Sequence, residues 1–282
     1  MTLDIRIRDV PVSSAHRLDS TKGLIVIDSK LPCWCVAACL TFVACAPSRA
    51  FAQSSPKPER AISYGMEIAF RSGHADRGYL ISDRPVIQPV VWLSASGADF
   101  SAWSNLPVTE NTDGSLPQIL ELELTRELEW KNFSIGPAAR MWFYHDPLSP
   151  YSTRSLEGWL YLSYDAGPFR LFTHHSLDVL TYSGAYFGDA GIESGGHVSQ
   201  RLEIGGSLGA GWGSATFNDA WFGVVTAALN RIRAEGWLTA YVTPQLYIGP
   251  RFEFNTTVDR SLRAAHVRPT YLLVGLTVGG EF

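Results

Sequence analysis

The hexapeptide THHSLD, residues 173–178, holds the sharpest candidate for nucleophilic chemistry in this sequence. His174 and Ser176 stand two apart, so on a β-strand both fall on one face within reach of each other. An imidazole that takes the hydroxyl proton makes serine a nucleophile for ester carbonyls, and Asp178 or Glu157 would orient the ring. That chemistry would suit hydrolysis of lipid acyl esters. Such an enzyme needs its site turned toward acyl chains, however, and His174 shares its parity with Arg170. The plainer reading is a set of polar residues near the rim of a barrel.

A second set of residues carries charge with a regular spacing. Glu67, Arg71, Glu121, Glu123, Arg140, Arg170, Arg201, Glu203, Arg251 and Glu253 all lie at positions that alternate with apolar neighbours. Ionised groups at bilayer depth are tolerable only facing water or paired with each other. These ten are therefore the expected lumen-lining residues. Cross-strand Arg–Glu pairs would seal the interior as a structural pillar; a water-filled lumen would instead select the solutes that pass. Gly205, Ser207, Gly209 and Gly211 are small residues on the inner parity and are expected to leave space.

Other motifs fall away. GGSLGAG at 205–211 lacks the Lys-Ser/Thr of a phosphate-binding loop. No His-x-x-x-His sits on a plausible helix, and Cys33, Cys35 and Cys39 have no nearby partner ligands, so no metal or other cofactor is expected. A net charge of −4 and a pI near 6.0 argue against a nucleic-acid partner.

The elements that must position these residues are long alternating strands. In YGMEIAFR, Tyr64, Met66, Ile68 and Phe70 oppose Gly65, Glu67, Ala69 and Arg71. In LELELT, Leu120, Leu122 and Leu124 oppose Glu121, Glu123 and Thr125. FSIGPAARMWFY, VSQRLEIGGSLGAGW and LYIGPRFEFN repeat the pattern. The segments run about 10–14 residues, beyond the usual soluble strand and enough to cross a bilayer tilted.

Tight turns (ASGA, LEWKN, DAGP, SGGH, TPQ) alternate with long, mostly polar connectors. The layout predicts an all-β fold: a single closed antiparallel up-and-down transmembrane barrel of about 12 strands. Its expected spans are about 61–71, 84–94, 98–107, 117–126, 132–144, 155–165, 168–178, 182–193, 198–212, 233–243, 246–257 and 270–282. The stretch FGVVTAALNRIR reads equally as loop, short helix or strand extension. A soluble barrel or sandwich that buries the apolar parity in its own core is the rival fold.

The termini fit the same picture. LPCWCVAACLTFVACAPSRAFAQ holds all four cysteines and ends in the small-x-small pattern Ala50-Phe51-Ala52. Residues 1–52 are thus expected to be an N-terminal extension with a cleavable Sec signal peptide, 53–60 a short periplasmic lead and 61–282 the barrel. At the other end, Leu276, Val278 and Phe282 lie on an apolar parity that runs to the last residue.

With that layout the chain resembles the proteobacterial outer-membrane β-barrel proteins grouped as porins. The resemblance rests on WSNLP, LELEL, YSTRSLEGWLYLSYD, GWGSATFNDAWFGV, FNTTVDRSL and the terminal strand. It implies an outer-membrane barrel, in contact with outer-membrane lipids, and no catalytic residues; with the charged lumen, the expected function is porin-like passive passage of small solutes. The ending is also similar to the C-terminal signal read by the barrel-assembly machinery, with Gly280 departing from it. The His-x-Ser spacing is similar to that of outer-membrane lipid A deacylases.

Overall fold

The computed structural model describes residues 62–148, 152–266 and 268–282. The expected signal peptide (1–52) and lead (53–60) lie outside the described residues.

Alternating apolar and small or polar residues build the strands β1 (Ile62–Arg71), β2 (His74–Asp76), β3 (Tyr79–Ser82), β4 (Val86–Ala95), β5 (Ala98–Pro107) and β6 (Gln118–Arg126). The three-residue β7 (Leu128–Trp130) continues β6 beyond a break at Glu127. Then follow β8 (Phe133–His145), β9 (Ser152–Ala166), β10 (Phe169–Asp178), β11 (Tyr186–Ser199) and β12 (Leu202–Gly213). The chain ends with helix α1 (Ala215–Phe222), β13 (Ala228–Tyr241), β14 (Leu246–Thr257), helix α2 (Arg260–Ala265) and β15 (Thr270–Glu281).

Each long strand pairs antiparallel with its sequence neighbour, and two pairings close the sheet. β6 pairs with β8, and β15 pairs with β1 in the register Glu67↔Gly279 and Arg71↔Gly275. Phe282 prolongs that seam: its N–H donates to Tyr64 O at 2.8 Å, and Tyr64 N–H donates to Phe282 O at 3.1 Å. The result is a closed barrel of twelve long strands without a free edge. The turn between β4 and β5 is two residues, Ser96 (φ 54°) and Gly97 (φ 75°), the left-handed pair that suits the twist of a hairpin.

Three consecutive spans, the eighth to the tenth, differ from expectation by four residues or more at an end. The eighth strand is Tyr186–Ser199, and its turn is Gln200–Arg201 instead of SGGH. Gly195 and Gly196 stay in the ladder because they pair with Gly205 and Ile204, while Asp178 Oδ1 accepts the N–H groups of Leu180 and Tyr182 and holds the preceding residues as a loop. FGVVTAALNRIR divides between the end of α1 and the start of β13, so β13 begins at Ala228, five residues earlier than expected. Ser214 caps α1 by accepting from Phe217 N–H, and Gly223 ends it in the left-handed conformation at φ 66°.

Candidate functional site

Parity separates wall from lumen along every long strand. In β1, Tyr64, Met66, Ile68 and Phe70 are exposed while Glu67, Ala69 and Arg71 turn inward. Leu120 and Leu124 of β6 and Leu272, Val274, Leu276 and Val278 of β15 continue the outer set; Met66, Leu124 and Leu272 are 55%, 56% and 53% exposed. A chain in water buries such side chains. A closed sheet that shows them outside and keeps charge inside is matched to hydrocarbon. The chain is a membrane-spanning β-barrel. No helix among the described residues is long and apolar enough to cross a membrane.

Among the described residues, inward charges of the wall strands pair with one another in three clusters. On β6, β8 and β9, Arg140 reaches Glu123 at 2.7 Å and Glu121 at 3.7 Å. Tyr161 donates to Glu123 and accepts from Arg140, both at 2.9 Å, and the Arg140 guanidinium lies 4.0 Å over the Trp159 ring. On β10, β11 and β13, Asp189 gathers His174 and Arg231 at 3.1 Å each and Arg233 at 3.7 Å, while Arg233 also meets Glu235 at 2.9 Å. Across the closing seam, Arg71 meets Glu253 at 2.5 Å, Arg251 lies 3.7 Å from Glu67, and Tyr247 donates to Glu67 at 2.8 Å.

Of the charged residues expected to line the lumen, Arg170 and Glu203 stand apart from these clusters on the inner face. Arg170 lies 3.6 Å from Glu127, and Glu203 accepts from the Tyr241 hydroxyl at 3.2 Å. Arg201 departs from expectation: it occupies the Gln200–Arg201 turn and is exposed beyond the strand wall. The sequence pattern missed Arg231, because β13 was expected to start later, and it missed Asp189, which lies within the expected eighth span but was not singled out.

The long connector SGHADRGYLISD is the larger surprise. It folds into the barrel as the hairpin β2–β3, turned by Arg77 (φ 49°) and Gly78 (φ 93°). Arg77 at its tip is only 4% exposed. Its two terminal nitrogens donate to the two Glu157 oxygens at 2.8 and 2.6 Å. Trp142 Nε1 and Trp159 Nε1 donate to the same two oxygens at 3.2 and 2.8 Å, so each oxygen accepts one guanidinium and one indole N–H. Trp159, Trp221, Phe217 and Phe187 surround the guanidinium, with its carbon 5.1, 5.5, 5.7 and 6.0 Å from their centroids. Ala75 and Leu80 pack on Tyr271 and Leu273 of β15, and the His74 ring lies 5.2 Å from Trp103. Burial pushes the His74 imidazole down to about 4, so it is neutral near pH 7.

Within the lumen lies a cavity of about 310 Å³, lined by Glu67, Arg71, Trp103, Glu235, Trp237 and Arg251 among others. The small residues of β12 do not open water-filled space as expected. The Trp237 ring comes within 2.3 Å of where a Cβ on Gly205 would sit, and the Phe187 ring within 2.7 Å of one on Gly211. These glycines are recesses that receive rings from neighbouring strands.

His174 and Ser176 do face inward together, as their parity predicts, yet they form no nucleophile. His174 Nδ1 lies 3.1 Å from Asp189, and buried Ser176 donates to Phe187 O at 3.4 Å. Glu157 is committed to Arg77, and Asp178 to backbone N–H groups. Nothing in this arrangement faces lipid. Among the described residues no group of His, Cys, Asp and Glu is placed to hold a metal ion.

No family model and no curated protein matches this chain. Several solved structures are similar to it at low identity. The KdgM porin is 10% identical and the match covers 78% of this chain and 98% of that one, with a TM-score of 0.44. An outer membrane channel from Pseudomonas putida F1 is 9% identical, covering 79% and 96%, with a TM-score of 0.45. The NanC porin is 12% identical, covering 77% and 97%, with a TM-score of 0.45.

Proposed function

We propose that this barrel resides in a bacterial outer membrane and conducts small solutes passively, as a porin-like channel. One observation carries the reading: inward-facing charges retain access to solvent, with Arg170 and Arg251 45% and 53% exposed, and the lumen holds a cavity flanked by Arg251. A pillar closed throughout by ion pairs would bury them. The purified protein, folded in a planar bilayer, is expected to give discrete conductance steps. A silent bilayer with properly inserted barrel would reject the channel.

The second reading is a sealed structural barrel, and the docked β2–β3 hairpin favours it. The lipid-acyl hydrolase has no such support, since His174 and Ser176 are engaged elsewhere. The proposal includes export by a Sec signal within residues 1–52 and insertion by the barrel-assembly machinery, which would read Leu276, Val278 and Phe282. All three are exposed on the outer face, in keeping with a signal that is presented to an external partner. Phe282→Ala should slow appearance of the folded, heat-modifiable band in vivo.

A further inference from the structure

We infer that the β2–β3 hairpin is a removable plug, and that the cage it fills with Arg77 is a binding site for guanidinium-bearing solutes. The chemistry of the cage is specific. A carboxylate held by two indole N–H groups offers two parallel acceptor positions, which match the fork of a guanidinium and leave an ammonium with one. The surrounding rings present their faces to a flat cation. Glu157 is 2% exposed, so in the docked state its charge depends on Arg77.

The hairpin has the marks of an inserted part. Its ladder is its own two-stranded sheet, separate from the barrel wall. Arg77 adopts a left-handed backbone that a residue other than glycine takes at a cost, and the side-chain contacts at the tip offset that cost. Above it, α1 and α2 supply Trp221, Phe222 and Leu262 near the mouth, and Tyr79 packs on Phe222 and His266 at 5.6 and 5.4 Å. A solute that replaces Arg77 on Glu157 removes the tip's anchor and frees the hairpin. The same site would then both sense an alkylguanidinium and admit it.

This inference rests on the channel reading for its consequence, but hairpin docking can be read without conductance. No cysteine follows Cys45 in the sequence, so Ala75→Cys places a single reporter in the hairpin, 9% exposed when docked, with the parent chain as the blank. In vesicles, a membrane-impermeant maleimide added on the long-loop side should label it slowly. Arg77→Ala should raise the rate at least about tenfold, since a buried carboxylate loses its partner. Arg77→Lys should fall between the two.

Methylguanidinium should accelerate labelling of the otherwise native hairpin, whereas methylammonium at equal ionic strength should not. Folding of each variant is checked by heat-modifiable migration, and Glu157→Gln gives an independent release of the anchor from the barrel side. Equal labelling in all variants overturns the plug, and equal effects of the two cations overturn the guanidinium site. Conductance measured in parallel reads the pore itself: labelling that responds while every bilayer stays silent refutes the channel and not the docking.

Discussion

Arg71 and Glu253, 182 residues apart in the chain, meet at 2.5 Å across the seam that closes the barrel. β15 lies between their strands, and Gly275 at that level leaves the gap they bridge: a Cβ there would sit 3.0 Å from Arg71 Cγ. The contact therefore depends on a small residue in the intervening strand as much as on the two charges. It also orients Asn255, which donates to the other Glu253 oxygen at 2.5 Å.

Removing one partner tests that dependence. Arg71→Met keeps the stem and deletes the fork, leaving Glu253 with Asn255 alone. A loss of about 1–3 kcal/mol is expected, the range for a hydrogen bond to a charged group in a part-buried site. The measurement is the urea midpoint for conversion of the folded to the unfolded gel band. Glu253→Gln, which retains an acceptor, should cost less than Arg71→Met.

The β12 glycines give a second test. If Gly205 served only to widen the lumen, a larger side chain would narrow the pore and leave the fold alone. The Trp237 ring already occupies that place, so Gly205→Val must displace an indole or shift β12 from β13. Overpacking of this kind typically costs about 1–3 kcal/mol. The urea midpoint should fall, and Gly205→Val with Trp237→Ala should recover most of the loss.

These two cases mark what was legible in the sequence. Alternation is a local property, so ISYGMEIAFR and TYLLVGLTVGGE announced their outer and inner faces, and the inward placement of Glu67, Arg71, Glu121, Glu123 and Arg140 followed. Contacts between distant residues carry no such local mark. GGSLGAG shows small side chains but not the Trp237 and Phe187 rings that lie against them. SGHADRGYLISD shows an Arg-Gly turn between short apolar stretches, yet its burial depends on Glu157, 80 residues away. Arg231 was missed for a different reason: helix and strand preferences compete across FGVVTAALNRIR, and only pairing with β12 and β14 decides where the strand begins.

Ion preference follows from the uneven pairing of the inner charges. Asp99 and Glu193 face the lumen without an ion pair among the described residues, and Arg170, opposite Glu193 in register, instead approaches Glu127 and Asp165. The inner guanidinium groups, by contrast, all have carboxylate neighbours. A lumen with surplus carboxylate charge concentrates cations. A potassium chloride gradient across the bilayer should give a reversal potential of cation-selective sign, and Asp99→Asn with Glu193→Gln should move it toward zero. An anion-selective native channel would contradict this assignment.

Acidification should loosen the hairpin through His74. Burial, the largest influence, holds the docked imidazole near 4 against an ordinary 6.5; the Asp76 carboxylate works against that, Arg71 adds to it and Glu253 opposes it. The docked state thus binds fewer protons than the released one between about pH 4 and 6.5. Docking is complete above that value, weakens by about tenfold per unit as pH falls toward 4, and changes no further through this group below it. Labelling of Ala75→Cys relative to Val225→Cys, a position 76% exposed, cancels the intrinsic pH dependence of the thiol reaction. The ratio should rise from pH 7 to pH 4.5, and His74→Gln should flatten the profile. A native ratio that stays level over this range would show that His74 titrates alike in the docked and released states, and would overturn this coupling.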